Sequence, residues 1–187
     1  RYTLRLSTQH EGRHAEFLEL LVGFRILEMK QGRLFVNGEP VALRVAEVDT
    51  QRIEDNDVAR LCEQGYNTLR LAPGPVAAGF LDRCDEQGVY VIVQAPVDTS
   101  SSGDSRSKGG NPSNDPAWRG AFVERVENIY HTSKRHPSVI AFSLARNSAN
   151  GIGLYESYLA LKRWNDPRPV IYPEAGGEWN SDALETN

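Results

Sequence analysis

The chain has 187 residues, of which 40% are hydrophobic and 25% are charged, a balance that is typical of a globular protein with a hydrophobic core. Its net charge is −4 and it has no long basic run, which excludes ordinary nucleic-acid binding because phosphate neutralisation needs clustered Lys and Arg. No apolar segment approaches the ~20 residues of a membrane-spanning helix, so a membrane is not expected as a partner.

The sequence offers no pattern of disulfide or metal ligands. Cys62 and Cys84 lie in helix-like segments among apolar neighbours, where free thiols are common. The four histidines show no ligand spacing. We therefore expect two buried free thiols, no metal and no cofactor.

Two extended segments open the chain. Residues 1–9 alternate in polarity, with Tyr2, Leu4 and Leu6 on one face, which is typical of a half-buried antiparallel strand. A polar turn leads to a second extended run over residues 16–28. Two strands alone do not make a stable sheet, so we expect this pair to contact further structure.

Strands and helices alternate after these segments. Residues 32–43 predict a hairpin, because the Asn37-Gly38 pair is favoured in tight hairpin turns. The alternation that follows predicts a parallel α/β fold. Five strands are predicted near residues 45–50, 67–72, 89–95, 138–144 and 170–172, and four helices over residues 56–64, 76–87, 115–135 and 154–164. The polar loop 98–115 is expected to be solvated and mobile, and Trp118 is expected in the core.

The fourth strand of this series is followed by the most informative polar cluster. Pro137 ends the preceding helix, and the apolar run 138–144 is bounded as a buried parallel strand should be. Arg146, Asn147 and Ser148 come directly after it. Parallel α/β folds place their sites at the carboxyl ends of strands, so these side chains are the first candidates for a site.

Five further tracts are distinctive: V-G-F-R at 22–25, F-V-N-G-E-P-V-A-L-R at 35–44, D-x-C-D-E-x-G at 82–88, H-P-S-V-I at 136–140 and D-P-R-P-V-I-Y at 166–172. Together these tracts resemble glycoside hydrolase family 2, the β-galactosidase and β-glucuronidase group. The resemblance implies the last strands of an immunoglobulin-like β-sandwich at 1–30, followed at 31–187 by a partial TIM-type (β/α) barrel of about five strands. A whole barrel takes ~250 residues, more than remain here.

The resemblance places the acid/base Glu of that family at Asn147, and the Asn before it at Arg146. An amide has no proton to exchange near neutral pH, so Asn147 cannot act as a general acid. The nucleophile of the family lies near strand seven, beyond the five strands counted here. No catalytic residue of the family is therefore intact, and we expect a catalytically impaired, pseudoenzyme-like domain.

A site without its acid can still bind a carbohydrate. The ligand-binding candidates are Arg70, Arg146, Asn147, Glu174 and Trp179. Arg146 adds a cation that suits an anionic ligand such as a uronic acid. A structural ion pair is the alternative role for Arg70.

Other acids could in principle replace the lost catalytic pair. Glu47 and Asp49 are two residues apart on one strand face, and Glu174 and Glu178 follow the fifth strand. An inverting mechanism needs two carboxyls ~6.5–9.5 Å apart. Charges exposed at the rim of the barrel are the plainer interpretation of these acids.

Three functions stay open at this point. The first is an impaired glycosidase segment; the second is an active β-glycosidase completed by a partner or by the rest of a longer chain; the third is a non-enzymatic sugar-binding or assembly module. Five strands leave open sheet edges, so a homo-oligomer, a partner chain or the rest of a longer chain is expected to cover them. The resemblance implies a bacterial periplasmic or cytoplasmic location.

Overall fold

The computed structural model describes residues 2–187, so Arg1, predicted to start the first strand, lies outside it. The elements follow in this order: β1 (Tyr2–His10), β2 (Arg13–Val22), β3 (Leu27–Lys30), β4 (Arg33–Val36), β5 (Glu39–Val41), β6 (Val45–Val48), α1 (Asp55–Glu63), β7 (Thr68–Leu71), α2 (Phe80–Gln87), β8 (Tyr90–Gln94), α3 (Arg119–Ser133), β9 (Val139–Ser143), α4 (Ile152–Lys162) and β10 (Val170–Ile171). Within this described part, no helix has the length and apolar character needed to cross a membrane.

The main sheet is parallel and has the order β10-β9-β8-β7-β6. Each strand lies beside the strand that precedes it in the chain, as in a (β/α) barrel whose crossovers are helical. The expectation of a parallel, TIM-barrel-type sheet with five strands is confirmed. Because all five strands run in the same direction, their carboxyl ends lie together at one end of the sheet.

The two faces of this sheet pack against different partners. Helices cover one face, where Leu69, Val91 and Phe142 are fully buried. The other face packs against the antiparallel sheet β3-β4-β5, and Ile92 and Ile140 share a core with residues of that sheet. The hairpin turn at residues 37–38 joins β4 to β5 as predicted, with positive φ at both positions.

Strands β1 and β2 form a two-stranded antiparallel ribbon. The first segment is an antiparallel strand, as predicted, but the predicted half-burial is wrong, because Tyr2, Leu4 and Leu6 are all exposed. A strand is half-buried only where another layer covers one face, and in the described chain the ribbon has no such layer. Residues 2–187 form no β-sandwich around the ribbon.

Two further expectations need correction. Helix α2 begins at Phe80 and not near residue 76, since Gly79 before it has a left-handed backbone that cannot continue a helix. Trp118 is exposed instead of buried, because it lies in a 3₁₀ turn before α3 begins.

The loop at residues 98–115 is mainly exposed, as expected, but it has a buried anchor at Asn111. The Asn111 amide accepts a hydrogen bond from the Thr99 hydroxyl at 2.9 Å and donates one to the Gly103 carbonyl at 2.6 Å. These bonds fix the two halves of the loop to each other.

The chain's last residues cover both edges of the parallel sheet. At the β10 edge, the Asp182 N–H donates to the Val170 carbonyl at 2.8 Å, and the Asp182 carboxylate accepts from the Val170 N–H at 2.7 Å. At the β6 side, the Asn187 N–H donates to the Leu43 carbonyl at 2.9 Å. Residues 178–187 therefore connect one edge of the sheet with the other, and the open edges expected from five strands are partly satisfied within the chain.

Candidate functional site

Polar side chains gather where the five parallel strands end. Glu47, Arg70 and Gln94 lie near the carboxyl ends of β6, β7 and β8, and alternation along each strand places them on the face away from the helices. Glu47 and Arg70 are directly opposite each other in the ladder. Apolar residues fill the lower part of this face, so the polar groups are confined to one end of it.

Arg146 follows β9 and reaches across this end of the sheet. Its Nη1 lies 2.5 Å from the Glu47 carboxylate, although β7 and β8 separate the two strands that carry these residues. The Arg146 backbone N–H donates to the Val97 carbonyl at 2.9 Å, which ties the segment after β9 to the segment after β8. The ion pair therefore spans the mouth of the site.

Asn147 lies at the mouth and is exposed, with a left-handed backbone at φ 48°. Its Nδ2 donates to the Asp98 carboxylate at 3.2 Å, and its backbone N–H donates to Glu174 Oε1 at 3.3 Å. A cavity of about 410 Å³ adjoins it, lined by Ser100, Asp104, Asn147, Ser148 and Glu174. Asn is one of the few non-glycine residues that adopt the left-handed region readily, which fits this position.

The electrostatics of the site follow from burial and from the acids around the two arginines. Burial lowers the pKa of Arg70, and the nearby carboxylates of Glu47 and Glu174 oppose this effect. Hydrogen bonds from Ser100 lower the pKa of Asp98, with a smaller contribution from Asn147. Asp98 is therefore an ionised hydrogen-bond acceptor at neutral pH.

Two buried donors on the site face lack a hydrogen-bond acceptor within the described part of the chain. Arg70 Nε and Gln94 Nε2 are inaccessible to solvent, and neither finds an acceptor among residues 2–187. Buried N–H groups without acceptors are uncommon and costly, which makes this end of the sheet suited to a ligand rich in oxygen acceptors.

The structure brings four of the five candidate ligand residues together and places the fifth, Trp179, outside this cluster. Arg70, Arg146, Asn147 and Glu174 all belong to the carboxyl-end cluster. Trp179 instead packs against Tyr155 on α4, and it does not line the Asn147 cavity. The binding role of all five remains a prediction.

A second cluster of ionisable groups lies at the opposite end of the fold and was missed in the sequence. Asp82, Asp85 and His136 bring their potential ligand atoms within 4.8 Å of one another. Asp85 already accepts from the Ser138 N–H at 2.8 Å, and Arg135 lies 3.1 Å from Asp82. The acids are thus engaged by protein groups, and spacing along the chain could not reveal the cluster because its members belong to separate segments.

Sequence reasoning also missed Asp98 and the partner of Arg146. Asp98 was assigned only to a solvated loop, and Glu47 was considered as a free rim charge. Their contacts with Asn147 and Arg146 depend on how the strands align in the sheet, which no local pattern records. The polar residues directly after a β-strand were the one available signal.

A parallel sheet that carries its polar cluster at the carboxyl ends of the strands is the arrangement of a TIM-barrel-type α/β domain. The particular family follows from comparison with known proteins. The chain belongs to glycosyl hydrolases family 2, since residues 28–186 match the model of that family's TIM barrel domain.

Individual relatives agree with this assignment. The chain is 31% identical over 181 residues to a β-galactosidase from Photobacterium profundum, covering 89% of this chain and 17% of that protein. It is 33% identical over 166 residues to a β-galactosidase from Alteromonas mediterranea, covering 83% of this chain and 16% of that protein. The chain thus spans about one sixth of the length of these relatives.

Solved structures share the fold at lower sequence identity. A β-glucuronidase from Ruminococcus gnavus superposes with a TM-score of 0.73 and 20% identity, covering 91% of this chain and 31% of that one. This likeness supports the barrel-type fold and carries no information about the sugar.

Proposed function

We propose that this chain is the carbohydrate-binding part of a family 2 glycoside hydrolase-like protein and that it supplies no general acid. The observation that carries the proposal is Asn147, an amide at the position directly after β9 where the family's acid would stand. An amide can hold a sugar hydroxyl through its N–H and C=O groups but cannot protonate a leaving oxygen.

The acids beside Asn147 are poor replacements for it. Asp98 has a lowered pKa and is ionised at neutral pH, whereas a general acid must carry a proton. Glu47 is held by Arg146 at 2.5 Å. These contacts favour the interpretation of the acids as parts of a charged rim rather than as an inverting pair.

The two arginines of the site, Arg70 and Arg146, are the basis for expecting an acidic sugar, although Glu47 and Glu174 lie beside them. Arg70 and Arg146 lie close enough to influence each other, and Arg guanidinium groups bind carboxylates in a bidentate manner. We expect a uronate to bind more tightly than the matching neutral sugar, and Arg146→Ala to remove that preference. Equal affinity of the wild-type chain for both sugars would contradict this part of the proposal.

An active β-glycosidase is the second candidate, and the length comparison favours it. Because the chain spans only about one sixth of its β-galactosidase relatives, carboxyl groups outside residues 1–187 could complete a catalytic site. In the same longer protein, the β1-β2 ribbon would be the end of an immunoglobulin-like sandwich over residues 1–30, and residues 31–187 would be the first five strands of the barrel. The exposed apolar side chains of the ribbon support this assignment.

The test is NMR of the purified chain in a mixture of β-galactosides, β-glucuronides and β-mannosides. We expect saturation transfer to at least one bound sugar and no growth of free-sugar anomeric signals. New anomeric signals, absent after heat inactivation, would show that an acid other than residue 147 acts. If neither saturation transfer nor new anomeric signals are observed, an assembly module that does not bind sugars is favoured.

A comparison variant makes the test specific to the site. Asn147→Ala removes both hydrogen-bonding groups of the side chain, and we expect it to lower the saturation-transfer signal. The matched control is Asn165→Ala, since Asn165 is also exposed and has a left-handed backbone at φ 51°. If both variants behave alike, the sugar binds elsewhere.

A further inference from the structure

Trp179 presents a supported aromatic ring near α4, outside the lining of the Asn147 cavity. Its ring stacks on Tyr155 with centroids 5.2 Å apart and an angle of 20°, and the Tyr158 ring lies nearly perpendicular to it, with centroids 5.9 Å apart. Despite these contacts its side chain is 56% exposed. The ring is therefore supported by two tyrosines while more than half of the residue stays open to solvent.

Hydrogen-bonding groups are fixed next to this ring. Arg106, from the loop after β8, lies 2.8 Å from the Glu178 carboxylate through Nη1 and donates through Nη2 to the Tyr155 hydroxyl at 3.0 Å. The Tyr155 hydroxyl donates to the other Glu178 oxygen. Arg106 Nε also donates to the Asn150 carbonyl at 3.1 Å. These bonds hold a charged acceptor and a charged donor in set positions while Arg106 stays exposed.

Trp164 provides the contrast. It also stacks on a tyrosine, with a centroid distance of 5.8 Å to Tyr130, and it is 43% exposed. Cations lie over it, with Arg163 at 5.4 Å and Lys134 at 5.9 Å from the ring centroid. Arg163 and Lys134 therefore already occupy space over the Trp164 ring that a ligand would need.

We propose that Trp179, Glu178 and Arg106 form a second carbohydrate-contact surface, the Trp179 platform, which takes one pyranose unit of an oligosaccharide. A pyranose ring has an apolar C–H face and a rim of hydroxyl groups. The C–H face would pack on the exposed surface of the indole, and the hydroxyls would bond to the carboxylate and the guanidinium. This combination of an aromatic surface with a few placed polar groups is typical of small-molecule sites.

The position of the platform relates it to the cavity at Asn147. The same two segments build both, since Asp104 and Glu174 line the cavity while Arg106 and Glu178 belong to the platform. Four residues span at most ~14 Å, so Glu174 and Glu178 are within the reach of a short oligosaccharide. We expect the two surfaces to bind neighbouring units of one chain. The choice of carbohydrate as ligand rests on the proposed function.

The experiment measures binding of cellotetraose and of lactose to the whole chain by saturation-transfer NMR and tryptophan fluorescence. We expect Trp179→Ala to weaken binding about tenfold, a loss that equals ~1.4 kcal/mol. Trp179→Phe should recover much of that affinity, which separates loss of the aromatic face from loss of the fold. Trp164→Ala is the matched control and should bind both sugars like the wild type.

Each outcome has a defined meaning. Equal losses in the Trp179→Ala and Trp164→Ala variants would overturn the proposal, as would unchanged binding by Trp179→Ala. If only Arg146→Ala weakens sugar binding, the proposed function stands and the Trp179 platform is ruled out. A loss confined to Trp179→Ala would support the platform and move the sugar site away from Asn147. If neither sugar binds the wild-type chain, the platform is ruled out, and binding of a β-glucuronide in the same measurement would leave the proposed function in place.

Discussion

At the scale of single residues, the contact between Asp85 and His136 stabilises the end of the fold opposite the candidate site. His136 Nδ1 lies 2.8 Å from Asp85 Oδ2, and the other oxygen of Asp85 accepts from the Ser138 N–H at 2.8 Å. Burial raises the pKa of Asp85, but the hydrogen bonds from His136 and Ser138 outweigh burial and keep it below its ordinary value. The carboxylate therefore joins α2 to the start of β9.

The first prediction concerns removal of this carboxylate. Asp85→Ala should lower the free energy of unfolding by about 3–5 kcal/mol, because it leaves buried polar partners without an acceptor. Asp82→Ala is the matched control on the same helix: its side chain is 44% exposed, against 4% for Asp85, and a loss under about 1 kcal/mol is expected. Denaturant unfolding monitored by circular dichroism measures both, and similar losses would show that burial is not the cause.

At the scale of elements, the β1-β2 ribbon differs from the rest of the fold. Strand β9 is buried along its whole length, whereas every residue of β1 is exposed. A two-stranded ribbon without a covering layer is only marginally stable in water. Its order in this chain therefore rests on its own cross-strand pairs.

The second prediction follows for hydrogen exchange. Amides of residues 2–22 should show protection below roughly tenfold, whereas amides of β8 and β9 should exchange only through large-scale unfolding. Mass spectrometry of the intact chain at two concentrations measures this difference. Strong protection of the ribbon that grows with concentration would show that a second copy covers it.

Element boundaries also show what local sequence can predict. The Asn37-Gly38 hairpin and the five parallel strands were predicted because turn chemistry and apolar runs are local signals. The start of α2 was misplaced, since the left-handed Gly79 interrupts a pattern that otherwise looks helical. Trp118 was misplaced because the burial of an aromatic side chain depends on what packs over it.

At the scale of the whole molecule, the chain's last residues act as a tie across the parallel sheet. Asp182 forms hydrogen bonds with backbone groups of β10, and Asn187 forms one with the Leu43 carbonyl beside β6. Leu184 packs against the core beneath the sheet. The two edges are therefore linked by a segment that no periodic pattern identifies.

The third prediction tests this tie. Deletion of residues 182–187 should lower the free energy of unfolding by roughly 2 kcal/mol through lost hydrogen bonds, and it should increase self-association because sheet edges become free. Denaturant unfolding and light scattering measure the two effects. Glu185→Ala is the control, since its exposed side chain can be removed without changing the backbone bonds. A monomeric deletion variant of unchanged stability would rule out the tie.

The fourth prediction concerns pH. Burial opposes ionisation of Asp85 and of Asp166, but hydrogen bonds, from His136 and from Arg168 respectively, lower the pKa of each below 3.8. A lowered folded-state pKa stabilises the fold above the unfolded-state pKa, and this stability is lost as the pH falls through the folded-state value. We expect the contribution of these two acids to be constant from pH 7 to about 5 and to decrease below about 4. Asp166→Asn should reduce the loss of unfolding free energy below about pH 4, as measured by denaturant unfolding at several pH values. An unchanged pH profile would contradict the assignment.

The sequence by itself determined the alternation of strands and helices, the barrel-type fold of this family and the amide at residue 147, because each is set by local residue types. Three candidate site residues, Arg146, Asn147 and Glu174, were also predicted from their place after strands. Only the tertiary structure decided that Arg146 pairs with Glu47, that Asp98 accepts from Asn147, that Trp179 stacks on Tyr155 away from the cavity, and that the ribbon is exposed. These features depend on contacts between residues far apart in the chain, whose distances are set by sheet order and packing.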